Sequence, residues 1–182
     1  MSTRVVTDKV RLSFPHIFEP YAFGDEEPRY SVMVLIPKSD KKTLKALRDA
    51  EQEARKNGIS SVFGGKDPGD KLASVIKDGD LVADEYPERE GHWYLTARTK
   101  TRPGVVDIDV NPILDASEVY SGCYARVSLS AFPYKYGGNS GVSFGLGNVQ
   151  KVADGENLGG AKSAEADFAE FKNAPSSSSD LI

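Results

Sequence analysis

The chain has 182 residues (19.7 kDa), 23 Lys and Arg against 27 Asp and Glu, a formal net charge of −4 and a pI near 5.3. That length suits one domain with a substantial core, and 39% hydrophobic with 27% charged residues excludes disorder throughout. No apolar run approaches the roughly 20 residues of a membrane span, and MSTRVVTDKVRLSF has no secretory-signal pattern. A single cysteine forms no internal disulfide, and two histidines, His16 and His92, offer little to a metal. At face value the acid excess also argues against a nucleic-acid binder.

Val5–Phe14 alternates with period two: Val6, Val10, Leu12 and Phe14 share one face, and Thr7, Lys9, Arg11 and Ser13 the other. This predicts a half-buried strand ended by Phe14-Pro15. Arg29–Ile36 is apolar on both faces and reads as a central strand stopped by Pro37. Ser39-Asp40-Lys41-Lys42 is an N-cap cluster for a helix over Thr43–Lys56, with a stripe of Leu44, Leu47, Ala50 and Ala54 and with Gly58 as its C-cap. Phe63–Asp70 is turn chemistry, and Lys71–Lys77 reads as a short helical turn. His92–Lys100, Val105–Val110, Tyr124–Phe132 and Val142–Val149 are four further strands, separated by glycine- and proline-containing turns.

The order β-β-α-β-β-β-β predicts a mostly β fold, a five-stranded OB-like barrel with an inserted helix, although alternation does not separate it from a small sandwich. Residues 1–152 form the expected domain and 153–182 a flexible acidic tail. Residues 1–150 hold 20 basic and 21 acidic side chains, whereas 151–182 hold 3 and 6. The tail is Gly-rich, then Ala/Glu-rich, then serine-rich, a composition too polar to offset its ordering entropy. A short amphipathic helix around Ala164–Phe171 is its one structural signal.

The stretch His92–Arg102 carries the chemistry. Trp93, Leu95, Ala97 and Thr99 fall on one strand face, and Tyr94, Thr96, Arg98, Lys100 and Arg102 on the other. Alternate side chains rise about 6.6 Å apart, close to the phosphate spacing of an extended single strand at roughly 6 to 7 Å. On the strand from Cys123, Ala125, Val127, Leu129 and Ala131 face a core, and Tyr124, Arg126, Phe132, Tyr134 and, past the strand end, Tyr136 face outward. Interleaved rings and cations suit single-stranded nucleic acid, where rings stack on bases and cations hold phosphates. Lys9 and Arg11 extend that face. The ordinary alternatives are a solvated edge strand for the cations and packing under a loop for Phe132, Tyr134 and Tyr136.

Other motifs are weaker. Cys123 reads as a small core residue. Asp107 and Asp109 place two carboxylates on one strand face, the basis of an alternative Mg²⁺-dependent nuclease reading. Gly145 and Gly147 alternate in a strand pattern without a phosphate-loop signature, which suggests close backbone packing or a bulge. A third reading is a non-catalytic protein-interaction module.

Five blocks, LSFPHIFEP from Leu12, YSVMVLIPK from Tyr30, KTRPGVV from Lys100, YSGCY from Tyr120 and GVSFGLGNVQK from Gly141, resemble a family of bacteriophage and prophage single-stranded-DNA-binding proteins of OB-fold type. The resemblance is collinear over about residues 5–170. It implies sequence-independent binding and protection of single-stranded DNA in replication or recombination, in the cytoplasm of a bacterial host, with no catalysis and no cofactor, and it allows a homo-oligomer. It also gives Asp180, Leu181 and Ile182 a meaning, as a tip that recruits replication or recombination proteins, against a plain frayed terminus.

Overall fold

A computed structural model describes residues 2–22, 24–68, 73–136 and 139–158. The strands are β1 (Arg4–Val6), β2 (Val10–Tyr21), β3 (Arg29–Pro37), β4 (Lys77–Asp78), β5 (His92–Thr99), β6 (Val105–Val106), β7 (Tyr124–Tyr136) and β8 (Asn139–Ala153), and the helix is α1 (Lys41–Ser60). Short 3-10 turns occupy Gly79–Val82, Pro87–Arg89 and Ala116–Glu118. The expected helix at Ala164–Phe171 and the tip Asp180, Leu181 and Ile182 lie outside the described residues. Among the described residues, no helix is long and apolar enough to cross a membrane.

Five strands close a ring in the order β2-β3-β5-β8-β7 and back to β2. All neighbours are antiparallel except β5 and β8, which run parallel where Arg98 lies beside Gly145. This is the OB-type barrel that the element order predicts. Alternation fills its interior: Val10 and Leu12, Val32 and Val34, Leu95 and Ala97, Val127 and Leu129, and Phe144 and Leu146 are all buried. Cys123 is buried among them, and that burial pushes its thiol pKa up. Helix α1 packs against β1, β7 and β8 with Leu47, Ala50 and Ala54 buried. Asp40 is its N-cap, accepting a hydrogen bond from the Thr43 N–H at 3.1 Å.

Several local expectations change. Proline does not end β2 at Phe14. The strand bulges there, with Phe14 at φ 48° and the pairing to β3 shifting between Ser13 and His16. A bulge leaves one residue out of the ladder, so the N–H that Pro15 lacks is not missed. The bulge also reverses the alternation, burying Ser13 and turning Phe14 out. Val6 likewise faces outward and Val5 inward, because β1 is a separate strand on β7 rather than the start of β2. Gly58 is not the helix cap. It lies inside α1 beneath Phe63 and Pro133, where a Cβ would come within 2.8 Å of the Pro133 Cβ, and the helix runs on to Ser60. Lys77 belongs to β4 rather than to a helical turn. The strand expected over Val105–Val110 stops at Val106. The β7–β8 hairpin extends further than expected on both arms.

The excursion from β3 to β5 returns in register through one polar pin. Lys38 Nζ donates to Asp78 Oδ1 at 2.6 Å and to Asp80 Oδ2 at 2.5 Å, and Asp80 Oδ1 accepts the Gly91 N–H at 2.7 Å. The hydrogen bond from Lys38 holds the Asp78 carboxyl below the usual aspartate value, and the bonds from Gly91 and then Lys38 do so for Asp80. The carboxylates in turn raise the pKa of Lys38. A carboxylate lowered by folding contributes stability that is complete above its unfolded value and is lost as pH falls through the folded one. The melting temperature should therefore fall as the pH drops below about 4, and Lys38→Met should flatten that fall. Circular-dichroism melts of both proteins from about pH 6 to pH 2.5 check this; parallel curves would remove Lys38 from the account.

Candidate nucleic-acid interface

One row of outward positions crosses the barrel. His16 pairs with Ser31, Ser31 with Arg98, Arg98 with Gly145 and Gly145 with Ser130, so five strands contribute at one level. Three of the five are Ser or Gly, which makes a low floor in which Ser31 is itself buried. On the β2–β3–β5 side this floor opens into a groove of about 480 Å³ lined by Phe14, His16, Tyr21, Ser31, Met33, Thr96 and Arg98. Phe14 is 53% exposed. The rings of His16 and Tyr21 stack with centroids 4.4 Å apart and planes at 15°. Partial burial lowers the His16 pKa, favouring the neutral ring.

At the other end of the row stands Phe132, 44% exposed, its ring over the space that Gly145 leaves empty. A Cβ at Gly145 would fit in ordinary contact with that ring at 3.7 Å, and the glycine leaves the floor correspondingly low between Arg98 and Phe132. Further along β7, Tyr136 is exposed, while Tyr134 folds onto Gly141, where a Cβ would come 2.8 Å from the phenol oxygen. Gly147 has the packing role expected of it: a Cβ there would collide with the Ser128 hydroxyl that accepts the Asn148 N–H at 2.7 Å.

The expected cations and rings divide into two groups. Arg98 lies in the groove. Lys100 lies just past the end of β5 and pairs with Glu27 at 3.4 Å, and Arg102 is exposed on the turn that follows. Tyr94 points outward as expected but is covered, with the Arg89 guanidinium 4.7 Å from its ring and β4 alongside. Lys9, Arg11, Tyr124 and Arg126 form a separate cluster. Tyr124 is eight residues before Phe132, about 26 Å along the strand. Lys9 and Arg11 lie 5.1 and 5.6 Å from the Tyr124 ring, and Gly155 packs close to it. Arg11 Nε donates to the Gly122 carbonyl at 3.1 Å and Nη2 to that of Glu156 at 2.8 Å. Arg126 Nε donates to the Thr7 carbonyl at 3.0 Å. These side chains fasten the segment after β8 and the turn before β2.

Phe14, His16, Tyr21 and Met33 were not among the expected contacts. Their signal is the aromatic-rich run Phe14–Tyr21, but strict alternation assigns Phe14 to the core, and only the bulge turns it outward. Asp107 and Asp109 do not share a strand face, because β6 has already ended. Asp107 Oδ1 instead accepts the N–H groups of Asp109 and Asn111, both at 2.9 Å, as a turn cap. Among the described residues no group of three His, Cys, Asp or Glu is placed to hold a metal ion.

Barrel and groove together define an OB-type protein with an aromatic cleft on its outer face. The family model described as Enterobacter phage Enc34, ssDNA-binding protein, matches residues 3–179, and the chain belongs to that family. It is similar to protein p50 of Acyrthosiphon pisum secondary endosymbiont phage 1, with 32% identity over 174 residues, 89% of this chain and 91% of that protein. Among solved structures, the single-stranded DNA-binding protein from bacteriophage Enc34 in complex with ssDNA aligns with a TM-score of 0.76 at 29% identity, covering 86% of this chain and 90% of that one. Gp2.5, a single-stranded DNA binding protein encoded by bacteriophage T7, shares the fold with a TM-score of 0.62 at 16% identity, over 92% and 93% of the two chains.

Since Arg11 ties backbone rather than facing the groove, Arg11→Met should lower the unfolding free energy by roughly 1–2 kcal/mol, two partly solvent-shared charged hydrogen bonds being lost. Urea unfolding measures this. A variant as stable as the parent would show that the segment around Glu156 is held by other contacts.

Proposed function

We propose that the chain binds single-stranded DNA without sequence preference across the outer face of its barrel, in the groove that runs from Phe14 and Tyr21 past Arg98 to Phe132. The observation that carries this reading is the low Ser/Gly floor with aromatic rings at both ends and one arginine between them. Rings accept any base by stacking, at about 1–3 kcal/mol each, whereas an unbroken apolar pocket would select one ligand. From β2 to β7 the row follows the barrel wall over four of its five inter-strand gaps, an arc of about 19 Å at the usual strand spacing. An extended strand of about four nucleotides covers that distance, the low end for one OB barrel. Arg98 holds a phosphate, and Arg102 lies near the end of the same strand. Membership of a phage family described as ssDNA-binding supports the reading, and so does the similarity to a protein solved with ssDNA bound. The role that follows is protection of single strands during phage replication or recombination in the bacterial cytoplasm, without chemistry on the DNA.

Stacking dominates a groove with few cations, so the salt dependence should be shallow. Each neutralised phosphate contributes about −0.7 to the slope of log K against log salt. Fluorescence titration with oligo-dT at several salt concentrations should give a slope near −2 or shallower, reduced by about 0.7 in Arg98→Ala. Phe14→Ala and Phe132→Ala should each weaken binding by roughly 1–3 kcal/mol, whereas Tyr124→Phe should leave it unchanged. Preference for duplex over oligo-dT, or full affinity in the Phe14→Ala/Phe132→Ala double variant, would overturn the assignment.

A further inference from the structure

The turn that follows β6 carries its aliphatic side chains on the outside. Ile108, Val110 and Leu114 are 61%, 67% and 87% exposed, whereas Ile113 beside them is buried. The segment is locked in this form. Val106 bridges to Pro112, the Ile113 N–H bonds the Val105 carbonyl at 2.9 Å, and Asp107 caps the turn through the N–H groups of Asp109 and Asn111. Gln150 Nε2 reaches the carbonyls of Asp107 and Ile108 at 3.4 Å. Val110 sits at φ 66°, a conformation that β-branched residues rarely adopt. A rigid loop that shows three large aliphatics to solvent is unusual unless something covers them.

Its charge narrows what that is. Residues 103–125 contain Asp107, Asp109, Asp115 and Glu118 and no lysine or arginine. Such a surface repels DNA. It complements the groove, which is apolar at Phe14, Tyr21 and Met33 and carries Arg98. The two cannot meet within one chain. β6 pairs with β8 at Val149 and Gln150, four residues from the level of Gly145 and Arg98, and the turn folds back only as far as Val105, where the Ile113 N–H is held. At strand rise the separation is already about 13 Å.

We propose that the 107–115 loop of one copy seats in the groove of a second copy when no DNA occupies it. Ile108 and Val110 then cover the groove rings, and the loop carboxylates face Arg98. This rests on the groove being the DNA site, so that DNA and the loop compete for one surface. A nine-residue loop buries less than the roughly 800 Å² per partner of a stable interface. Association is therefore weak, concentration-dependent and salt-sensitive.

Sedimentation velocity of the full chain decides this, from low micromolar to several hundred micromolar, with and without saturating short oligo-dT. The comparison is with Ile108→Ser/Val110→Gly, in which glycine suits the backbone at position 110. The weight-average mass of the parent should rise toward twice the 19.7 kDa monomer, and oligo-dT should return it to one chain per oligonucleotide. The double variant should stay monomeric while binding dilute oligo-dT like the parent. A parent that remains monomeric, a variant that associates equally, or association that persists with oligo-dT bound would each overturn the proposal. Failure of oligo-dT to bind at all would instead strike at the function proposed above. The comparison of parent and variant would still decide the loop contact.

Discussion

The parallel contact of β5 with β8, where Arg98 lies beside Gly145, is the constraint on which the rest of the structure depends. It closes the ring, and closure removes Val32, Val34, Leu95 and Phe144 from water on one side of the sheet. On the other side it sets Arg98 level with Ser31 and Gly145, so that the outward floor is continuous from β2 to β7. A one-residue slip would bury Arg98 and expose Ala97 or Leu95, which burial energies of about 1.5–3 kcal/mol per large aliphatic forbid. Core and groove are thus fixed by the same register.

Magnitudes explain why some rings serve the fold and others remain open. A cation over an aromatic face is worth about 0.5–1 kcal/mol when exposed and about 2 when desolvated. A base stacked on a free ring gains about 1–3. Tyr94 under Arg89, and Tyr124 beside Lys9 and Arg11, would have to give up their cations to take a base, and the exchange gains little. Phe14 and Phe132 surrender nothing of that kind. Their exposure is a cost to the free protein that a stacked base would relieve.

Charge is segregated in the same way. The net −4 averages a near-neutral barrel and a more acidic C-terminal stretch, and within the barrel residues 103–125 carry four acids with no lysine or arginine to balance them. Arg98 therefore lies at a level of the barrel apart from the carboxylates of the 107–118 region. Whole-chain pI registers none of this, because a binding face is set by a few side chains at one level of a barrel.

Much of this was legible in the residues alone. Alternation and turn residues located β5, β7 and β8, a run apolar on both faces and stopped by Pro37 located β3, and the Leu44–Ala54 stripe located α1, because burial pattern is a local property of a strand or helix. Arg98 and Phe132 followed from that patterning. What alternation does not contain is the bulge at Phe14-Pro15, which reverses the faces of β2 and turns Phe14 and His16 to the groove, or the second register shift, between His16 and Tyr21, which brings Tyr21 there. Nor does it show that Arg89 covers Tyr94, or that Glu156 ties down Arg11, since these partners are distant in the chain or reached through a turn. The sequence by itself determined which segments form strands or the helix and which side chains point outward along a regular strand. Only the tertiary structure decided which outward side chains remain open, because that depends on the register across the ring and on what the connecting segments lay over it.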